Sequence, residues 1–254
     1  MSPTDELIPI LKKLRLSGVL ESLELRTQQA LDDELGHSEF LLRLLQDEAD
    51  RRDAKQLSRR LKKAAFEHER TFETFDFAFN TKLPKAKILE LANTSFIERC
   101  DNVLLIGPTG VGKSHIAQAL GHRACRVGFD VVHVTADDML RQLRAARADG
   151  SHERRLQRFV QPKLLIIDDI GLRPLSGDEP LDLYDIIRLR YERRSTILTS
   201  NRDVEEIGAL FGDPLLASAA MDRLLHHAHV LTLVGSSFRN PPDNSKPARK
   251  RKAA

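Results

Sequence analysis

Residues 102–114 read Asn-Val-Leu-Leu-Ile-Gly-Pro-Thr-Gly-Val-Gly-Lys-Ser, a short hydrophobic run followed by a glycine-rich turn that ends in lysine and serine. The hydrophobic run predicts a buried strand, and the residues after the turn have the character of a helix. A glycine-rich turn between a strand and a helix presents backbone N–H groups and the helix N-terminus to a phosphate chain. The stretch therefore predicts a P-loop fold that binds ATP and hydrolyses it.

Each part of this turn has an expected role toward the nucleotide. The glycines would let the backbone wrap the phosphates, the amine of Lys113 would reach the β and γ phosphates, and the hydroxyl of Ser114 would ligate Mg²⁺. The expected nucleotide-binding residues are Gly107, Pro108, Thr109, Gly110, Val111, Gly112, Lys113, Ser114 and His115.

Four more runs of β-branched or leucine-rich sequence follow the first strand. Helical segments separate the first four of the five runs, which is the pattern of an α/β fold with a parallel sheet and crossover helices. The fourth run is expected to lie in space between the strand of the P-loop and the third strand, as in chains that use a carboxylate for hydrolysis. The five predicted strands are 103–106, 131–134, 164–167, 196–199 and 230–234.

Two carboxylates follow the third run directly. Asp168 and Asp169 come at the carboxyl end of a buried strand, where open α/β sheets bind their ligands. Asp168 is expected to hold magnesium through water, and Asp169 to polarise the attacking water. Asn201, at the end of the fourth run, is expected to orient that water beside the γ-phosphate. The alternatives are a turn-forming Asp pair and a loop Asn that caps the next helix.

Two downstream arginines complete a set of residues for phosphoryl transfer. Such catalysis depends mostly on positioning and on stabilising charge around the γ-phosphate. Arg223 lies on a helix-like stretch and is expected to reach across a subunit boundary as an arginine finger. Arg239 follows the last strand and would act within its own subunit. Either arginine could instead be a surface salt-bridge partner.

The composition changes near residue 70. Residues 1–70 show apolar residues at helical spacing, such as Leu7, Ile10, Leu11 and Leu14, and no strand signal, which predicts a small all-helical domain. The ATPase domain is expected over 71–239. Residues 240–254 are rich in Pro, Lys and Arg, which predicts a disordered basic tail.

An aromatic cluster at 72–79 opens the predicted ATPase domain. Phe75 or Phe77 is expected to lie near the adenine base. Packing of the core alone is the alternative for this cluster.

The formal net charge of +3 is unevenly distributed along the chain. Arginines repeat at helical spacing in the segment 141–158 and are expected to line a groove for duplex DNA. Contacts of this kind bind the phosphate backbone with little sequence specificity. A solvated helix face is the alternative. The six candidate DNA-binding residues are Arg141, Arg144, Arg147, Arg154, Arg155 and Arg158.

The sequence contains no apolar run near the roughly 20 residues of a membrane span and no N-terminal signal pattern. A cytoplasmic location without membrane contact is therefore expected.

The motifs, in this order, resemble those of AAA+ ATPases, in the branch that contains the helicase loader DnaC and the transposition helper IstB. Two further stretches, Leu11-Lys-Lys-Leu-Arg-Leu-Ser-Gly18 and Asp222-Arg-Leu-Leu-His-His-Ala-His229, are similar to IstB in particular. The resemblance to the branch is carried by Phe75-Asp-Phe77, the P-loop stretch 102–115, Leu164-Leu-Ile-Ile-Asp-Asp-Ile-Gly171, Thr199-Ser-Asn-Arg202, Met221-Asp-Arg-Leu224 and Ser237-Phe-Arg239.

Over residues 1–240, the resemblance implies an ATPase that oligomerises on DNA and assists the transposase of a bacterial insertion sequence. An AAA+ protein usually carries a C-terminal helical lid, and 240–254 is too short for one, so nucleotide contacts are expected from a neighbouring subunit. Many members of the family have Tyr at the position of Phe238. The resemblance assigns Lys113 and Ser114 to the first nucleotide motif, Asp168 and Asp169 to the second, Asn201 to the first sensor, Arg223 to the arginine finger and Arg239 to a second-sensor-like position.

Three other functions fit parts of the pattern. A DnaC-like helicase loader would share every nucleotide motif named above. A DNA scaffold gated by ATP binding, with slow or no hydrolysis, is left open by Asp169 in place of the commoner Glu. A small-molecule P-loop kinase would need a substrate lid and would have no use for Asn201 or Arg223 in these roles.

Overall fold

The computed structural model describes residues 3–239, with side chains described from residue 6 onward. The predicted basic tail at 240–254 lies outside the described residues. The chain divides into two compact units, Met1–Arg59 and Arg60–Ala254. The domain assignments made from the sequence, with their boundary near residue 70, stay predictions.

The first unit is helical. It contains α1 (Pro3–Lys13), α2 (Ser17–Asp32) and most of α3 (His37–Ala64). Arg26 of α2 donates two hydrogen bonds to Asp47 of α3, at 2.8 and 2.7 Å. The buried apolar side chains of this unit are Leu11, Val19, Leu23 and Leu44.

The helical spacing at the start of the chain correctly predicts a helix, whose apolar residues are buried to different degrees. Of the four periodic residues, only Leu11 is buried, whereas Leu7, Ile10 and Leu14 are 42%, 52% and 59% exposed. The small core accounts for this difference, because the apolar stripe of α1 is wider than the surface that covers it.

The second unit is built on five parallel strands in the spatial order β2-β3-β4-β1-β5. The prediction of a five-stranded parallel sheet is confirmed. The predicted insertion of the fourth strand between the first and the third is also confirmed, since β4 pairs with both. The strands are β1 (Asn102–Ile106), β2 (Val131–Thr135), β3 (Leu164–Ile170), β4 (Ser195–Ser200) and β5 (Ala228–Thr232).

Helices flank the sheet on both faces. One face, which includes Leu104, Leu165 and Leu198, packs into a single buried cluster with residues of α7 to α11. On the other face, α6 approaches β3 so closely that a Cβ on Gly121 would lie 2.7 Å from the Cδ1 atom of Ile166. The helices are α4 (Lys85–Leu91), α5 (Ser95–Glu98), α6 (Lys113–Val127), α7 (Ala136–Ala148), α8 (His152–Val160), α9 (Glu179–Arg190), α10 (Val204–Ala209) and α11 (Pro214–Leu225).

Across residues 3–239, none of these helices combines the length and the apolar content that crossing a bilayer requires.

The loop between β3 and α9 is fixed by a buried carboxylate. Arg173 donates two hydrogen bonds to Glu179, at 2.7 and 2.8 Å, and the backbone N–H of Ser176 donates a third at 2.9 Å. The side chain of Glu179 is only 3% exposed. The hydrogen bonds from Arg173 lower the pKa of Glu179 to about 2, so the carboxylate stays ionised at neutral pH.

We expect Glu179→Gln to lower the free energy of unfolding by about 2 kcal/mol at neutral pH, because the amide loses the charge that faces Arg173. The folded pKa is depressed, so this stabilisation is fully present above the ordinary value of 4.5 and is lost as the pH falls from there toward about 2. Urea unfolding between pH 6 and about pH 3 measures this. The exposed Glu153→Gln serves as the control. A wild-type advantage that does not shrink with falling pH would contradict the assignment.

Candidate functional site

A cavity of about 410 Å³ opens beside the P-loop. Its walls come from the segment before the sheet, from the P-loop, from Asp169 near the end of β3, from Asn201 after β4 and from the end of the described chain. The residues that line it are Arg70, Thr74, Phe75, Asp76, Thr109, Gly110, Gly112, Lys113, Ser114, His115, Asp169, Leu172, Asn201, Phe238 and Arg239. Side chains that the sequence separates by more than a hundred residues therefore meet in one place. The volume is in the range of small-molecule and cofactor sites.

The amine of Lys113 is held inside the P-loop. Its Nζ donates hydrogen bonds to the carbonyl oxygen of Gly107 at 2.7 Å, to that of Pro108 at 2.9 Å and to Oδ1 of Asn201 at 2.5 Å. Burial lowers the pKa of Lys113, and the nearby Asp169 and Asp168 carboxylates oppose that shift. The ammonium is thus positioned to exchange neutral oxygen acceptors for charged phosphate oxygens.

Two P-loop glycines lie where any side chain would collide with neighbouring residues. Gly112 has φ +102°, and a Cβ there would lie 2.9 Å from the Phe75 ring; Gly110 has φ +86°, and a Cβ there would lie 2.1 Å from Oγ of Ser237. Positive φ values of this kind favour glycine. Glycine at these positions therefore lets the turn keep its shape against Phe75 and Ser237. A glycine-dependent turn directly before a helix N-terminus fits the predicted phosphate-binding loop.

Asp168 is held by hydroxyl groups at the end of β3. Thr199 of β4 donates its hydroxyl hydrogen to Oδ1 of Asp168, and Ser114 is also hydrogen bonded to this carboxylate. Nε2 of His133 lies 3.7 Å from Oδ2. Burial alone would raise the pKa of Asp168, but the nearby imidazole of His133 and the hydroxyl groups of Thr199 and Ser114 outweigh it and lower the pKa. An ionised carboxylate beside a serine hydroxyl offers the oxygen ligands that Mg²⁺ takes in proteins.

Asp169 sits where the β3 ladder is interrupted. The register between β3 and β4 shifts between Ile167 and Ile170, and Asp169 has φ +57°. Its backbone N–H donates to Oγ1 of Thr199 at 2.8 Å, so one threonine holds both aspartates. A bulge of this kind re-aims a side chain, here into the cavity. Burial, followed by the charge of Asp168, raises the pKa of Asp169 and makes it the more basic carboxylate.

Asn201 contacts Lys113 and lines the cavity. It does not cap α10, because Asp203 accepts a hydrogen bond from the Glu206 N–H at 2.9 Å and the Glu206 side chain accepts one from the Asp203 N–H. The alternative of a helix-capping Asn is therefore wrong. Its predicted role toward the attacking water stays a prediction.

The aromatic cluster contributes one of its two candidate residues to the cavity wall. Phe75 lines the cavity together with Phe238, at a ring-centroid distance of 5.3 Å. Phe77 does not line it; its ring packs edge-on against Phe75 at 4.7 Å. Of the two candidates, Phe75 and Phe77, the structure thus brings Phe75 to the cavity wall. A contact of either ring with the adenine base stays a prediction.

The two predicted catalytic arginines have different locations. Arg239 lines the cavity of its own chain. Arg223 does not line this cavity. It lies on α11, where its Nη1 donates to the carbonyl oxygen of Ala219 at 2.7 Å. An action of Arg223 on a nucleotide therefore requires a second subunit.

The predicted DNA-binding arginines are divided by their ion pairs. On α7, Arg147 lies 2.5 Å from Asp182 and Arg144 lies 3.7 Å from Glu179, while Arg141 pairs with Asp138. On α8, Arg155 and Arg158 both donate to Gln142, at 3.4 and 3.2 Å, and Arg154 is exposed. Acidic neighbours thus offset the positive charge of α7 more than that of α8.

The sequence did not single out several residues at the site. Arg70 and Thr74 line the cavity, and Thr199 holds the aspartate pair. A hydroxyl residue near the end of the strand predicted to lie beside the carboxylates was an available signal for Thr199. Arg70 carried no comparable signal, because a basic residue before an aromatic cluster is common on protein surfaces.

Three features define the class of this protein: the P-loop after β1, the carboxylate pair at the end of β3, and β4 between those two strands. Together they are the AAA+ arrangement of a P-loop nucleotide-binding protein. A family model described as "IstB-like ATP binding protein" matches residues 9–245. The chain belongs to this family of IstB-like ATP-binding proteins.

Curated relatives agree with this membership. The chain is 40% identical to an insertion-sequence ATP-binding protein of Mycobacterium tuberculosis, over 90% of this chain and 92% of that protein. It is 38% identical to the ATP-binding protein of insertion sequence IS21 from Pseudomonas aeruginosa, over 92% of this chain and 88% of that protein. A relative from insertion sequence IS5376 of Geobacillus stearothermophilus is 37% identical, over 89% of this chain and 90% of that protein.

Solved structures show the same fold at low sequence identity. The DnaC helicase loader matches with a TM-score of 0.51 and 21% identity, covering 59% of this chain and 87% of that one. DnaI matches with a TM-score of 0.57 and 18% identity, covering 66% and 90%. AMPPCP-bound DnaA from Aquifex aeolicus matches with a TM-score of 0.56 and 19% identity, covering 69% of this chain and 53% of that one. These likenesses establish the fold.

We expect Gly112→Ala to weaken ATP binding by about tenfold or more, because alanine is strained at the positive φ of this position and its methyl group meets Phe75. Gly177→Ala is the matched control: Gly177 also has positive φ, at +57°, but nothing lies within 4 Å of the place that an added methyl group would take. Binding of a fluorescent ATP analogue, with thermal unfolding in parallel, measures both effects. Equal affinities for the two variants would contradict the predicted site.

Proposed function

We propose that this protein is a Mg²⁺-dependent ATPase that oligomerises on duplex DNA and assists a cognate transposase. The observation that supports it best is that Lys113, Asp169 and Asn201 line one cavity. Asp168 directly precedes Asp169 in the chain and is hydrogen bonded to Ser114 of the cavity wall. The relatives named for insertion sequences support the transposition role.

In this proposal, the chain's residues divide the work of hydrolysis. The P-loop backbone binds the phosphates, and Lys113 turns from its carbonyl acceptors to the β and γ phosphates. Ser114 and Asp168 hold Mg²⁺, which when bound neutralises charge on the phosphate oxygens. Asp169 polarises the attacking water, a role that its raised pKa favours. Water attacks the γ-phosphorus as the bond to the ADP oxygen breaks, giving ADP and phosphate.

A neighbouring subunit completes the proposed site. Arg223 lies outside the cavity of its own chain, whereas Arg239 lines it. An arginine from a neighbour can stabilise the charge of the transition state, as arginine fingers do. Hydrolysis would then depend on assembly, and nucleotides would lie at the subunit interfaces of the oligomer.

DNA binding is proposed mainly for α8. Arg154 and Arg158 are exposed there, and Arg158 is hydrogen bonded to a neutral glutamine rather than to a carboxylate. A DnaA structure that contains AMPPCP and single-stranded DNA matches this chain with a TM-score of 0.57 and 19% identity. That match is consistent with a fold that can bind DNA and nucleotide together.

The helicase-loader alternative shares this chemistry. DnaC and DnaI are similar in fold, at 21% and 18% identity. The insertion-sequence relatives match over nearly the whole chain at 37% to 40% identity. This difference favours transposition over helicase loading.

We expect wild-type turnover of ATP to be stimulated by duplex DNA, and Lys113→Ala and Arg223→Ala each to reduce it by about a hundredfold or more. An equal mixture of the two variants should recover about one quarter of the wild-type turnover, because in random assembly that share of head-to-tail interfaces pairs an intact Lys113 with an intact Arg223. Phosphate release measures turnover, and light scattering checks assembly.

A mixture as inactive as its components, despite assembly, would contradict a finger supplied by the neighbour. Wild-type protein that binds ATP but shows no turnover with DNA would favour the ATP-gated scaffold.

We expect the double substitution Arg154→Ala/Arg158→Ala to weaken duplex binding to a similar degree for unrelated sequences. The slope of log affinity against log salt should become shallower by about 2, because two phosphate contacts are lost. Fluorescence anisotropy across a salt series measures this. Arg188→Ala is the control, since Arg188 is paired with Asp185 at 3.0 Å on α9. An unchanged slope in the double variant would exclude α8 from the DNA interface.

A further inference from the structure

The side chain of Arg223 is enclosed by aromatic rings rather than left free. Its guanidinium carbon lies 5.7 Å from the ring centroid of Tyr184 and 6.0 Å from that of Tyr191. Its Nη1 is also hydrogen bonded to Ala219, one turn earlier on α11. Three separate contacts therefore restrict a side chain that would otherwise sample many rotamers.

Tyr191 is itself fixed by the residue that follows α11. Its hydroxyl lies 2.8 Å from Nδ1 of His226, and the two rings are 5.6 Å apart. The backbone N–H of His226 donates to the carbonyl oxygen of Asp222 at 3.1 Å, which ties this histidine to the end of α11. Arg223 and His226, which contacts Tyr191, therefore both lie at the C-terminal end of α11.

None of these contacts belongs to the nucleotide cavity of the same chain. Tyr184, Tyr191 and His226 are absent from its walls, and His226 and the neighbouring Glu192 are exposed. A role in binding this chain's own nucleotide does not explain the arrangement. An aromatic face attracts a cation without neutralising it, so the guanidinium keeps its charge for another partner.

We propose that Tyr191, held by His226 and assisted by Tyr184, is a positioning residue that sets the direction of Arg223 toward the neighbouring subunit's nucleotide. This inference rests on the proposed function, in which Arg223 acts between subunits. Pre-positioning matters because a charged group contributes most to catalysis when it needs no reorganisation during the reaction.

The test uses the mixture of two full-length variants. The Lys113→Ala chain can only donate a finger, and the Arg223→Ala chain can only supply an intact P-loop. Tyr191→Leu is placed in one chain or in the other, and recovered ATP turnover is measured with DNA. We expect about a tenfold loss of recovered kcat when the finger donor carries the substitution, with the KM for ATP changed less than about twofold.

The same Tyr191→Leu in the P-loop chain has no Arg223 to position, so recovered kcat should stay within about twofold. Tyr191→Phe in the donor keeps the ring and loses the bond to His226, and an intermediate loss of about threefold is expected. Arg188→Ala in the donor, on the exposed side of α9, controls for surface changes.

Equal losses from Tyr191→Leu in either chain would overturn the proposal in favour of a general structural role. Full recovery with the substituted donor would also overturn it. If the unsubstituted mixture recovers no turnover, the interfacial action of Arg223 itself is wrong, and that failure is distinct from a failure of the tyrosine to position it.

Discussion

The site depends on one topological constraint: β4 lies between β1 and β3, and all three strands end at the same edge of the sheet. This order places Thr199 of β4 beside both aspartates of β3, where its hydroxyl donates to the Asp168 carboxylate and accepts the Asp169 N–H. It also brings Asn201 to Lys113. A different strand order would leave the P-loop intact but would separate it from the groups that the proposed hydrolysis needs.

The two adjacent carboxylates of the site have opposite electrostatic environments. Hydroxyl and imidazole groups around Asp168 lower its pKa despite burial, whereas burial and the charge of Asp168 raise the pKa of Asp169. Pairs whose environments separate their pKa values are typical of sites that assign different roles to like groups. Here the first carboxylate suits cation binding, and the second, which lines the cavity, suits interaction with water.

Much of this arrangement could be predicted from the sequence, because the P-loop, the aspartate pair and Asn201 each follow a strand-like run directly. The place of Thr199 near the end of the strand predicted beside the carboxylates was a signal, but the sequence does not show that one hydroxyl contacts both aspartates. The ion pairs of the α7 arginines were also hidden: Arg147 meets Asp182 across 35 positions of sequence. Spacing on one helix predicts a common face, but it does not show which charges from other elements meet that face.

We propose that the γ-phosphate of bound ATP lies between Lys113 and the two aspartates, and the proposed hydrolysis depends on this placement. A crystal structure of the full chain with Mg²⁺ and a non-hydrolysable ATP analogue tests it most directly. We expect Lys113 Nζ to leave the carbonyl oxygens of Gly107 and Pro108 for the β and γ phosphate oxygens, with Asp168 at the cation and Asp169 facing the γ-phosphorus. An analogue bound elsewhere would contradict this placement. So would a bound analogue beside which Lys113 Nζ still donates to the carbonyl oxygens of Gly107 and Pro108.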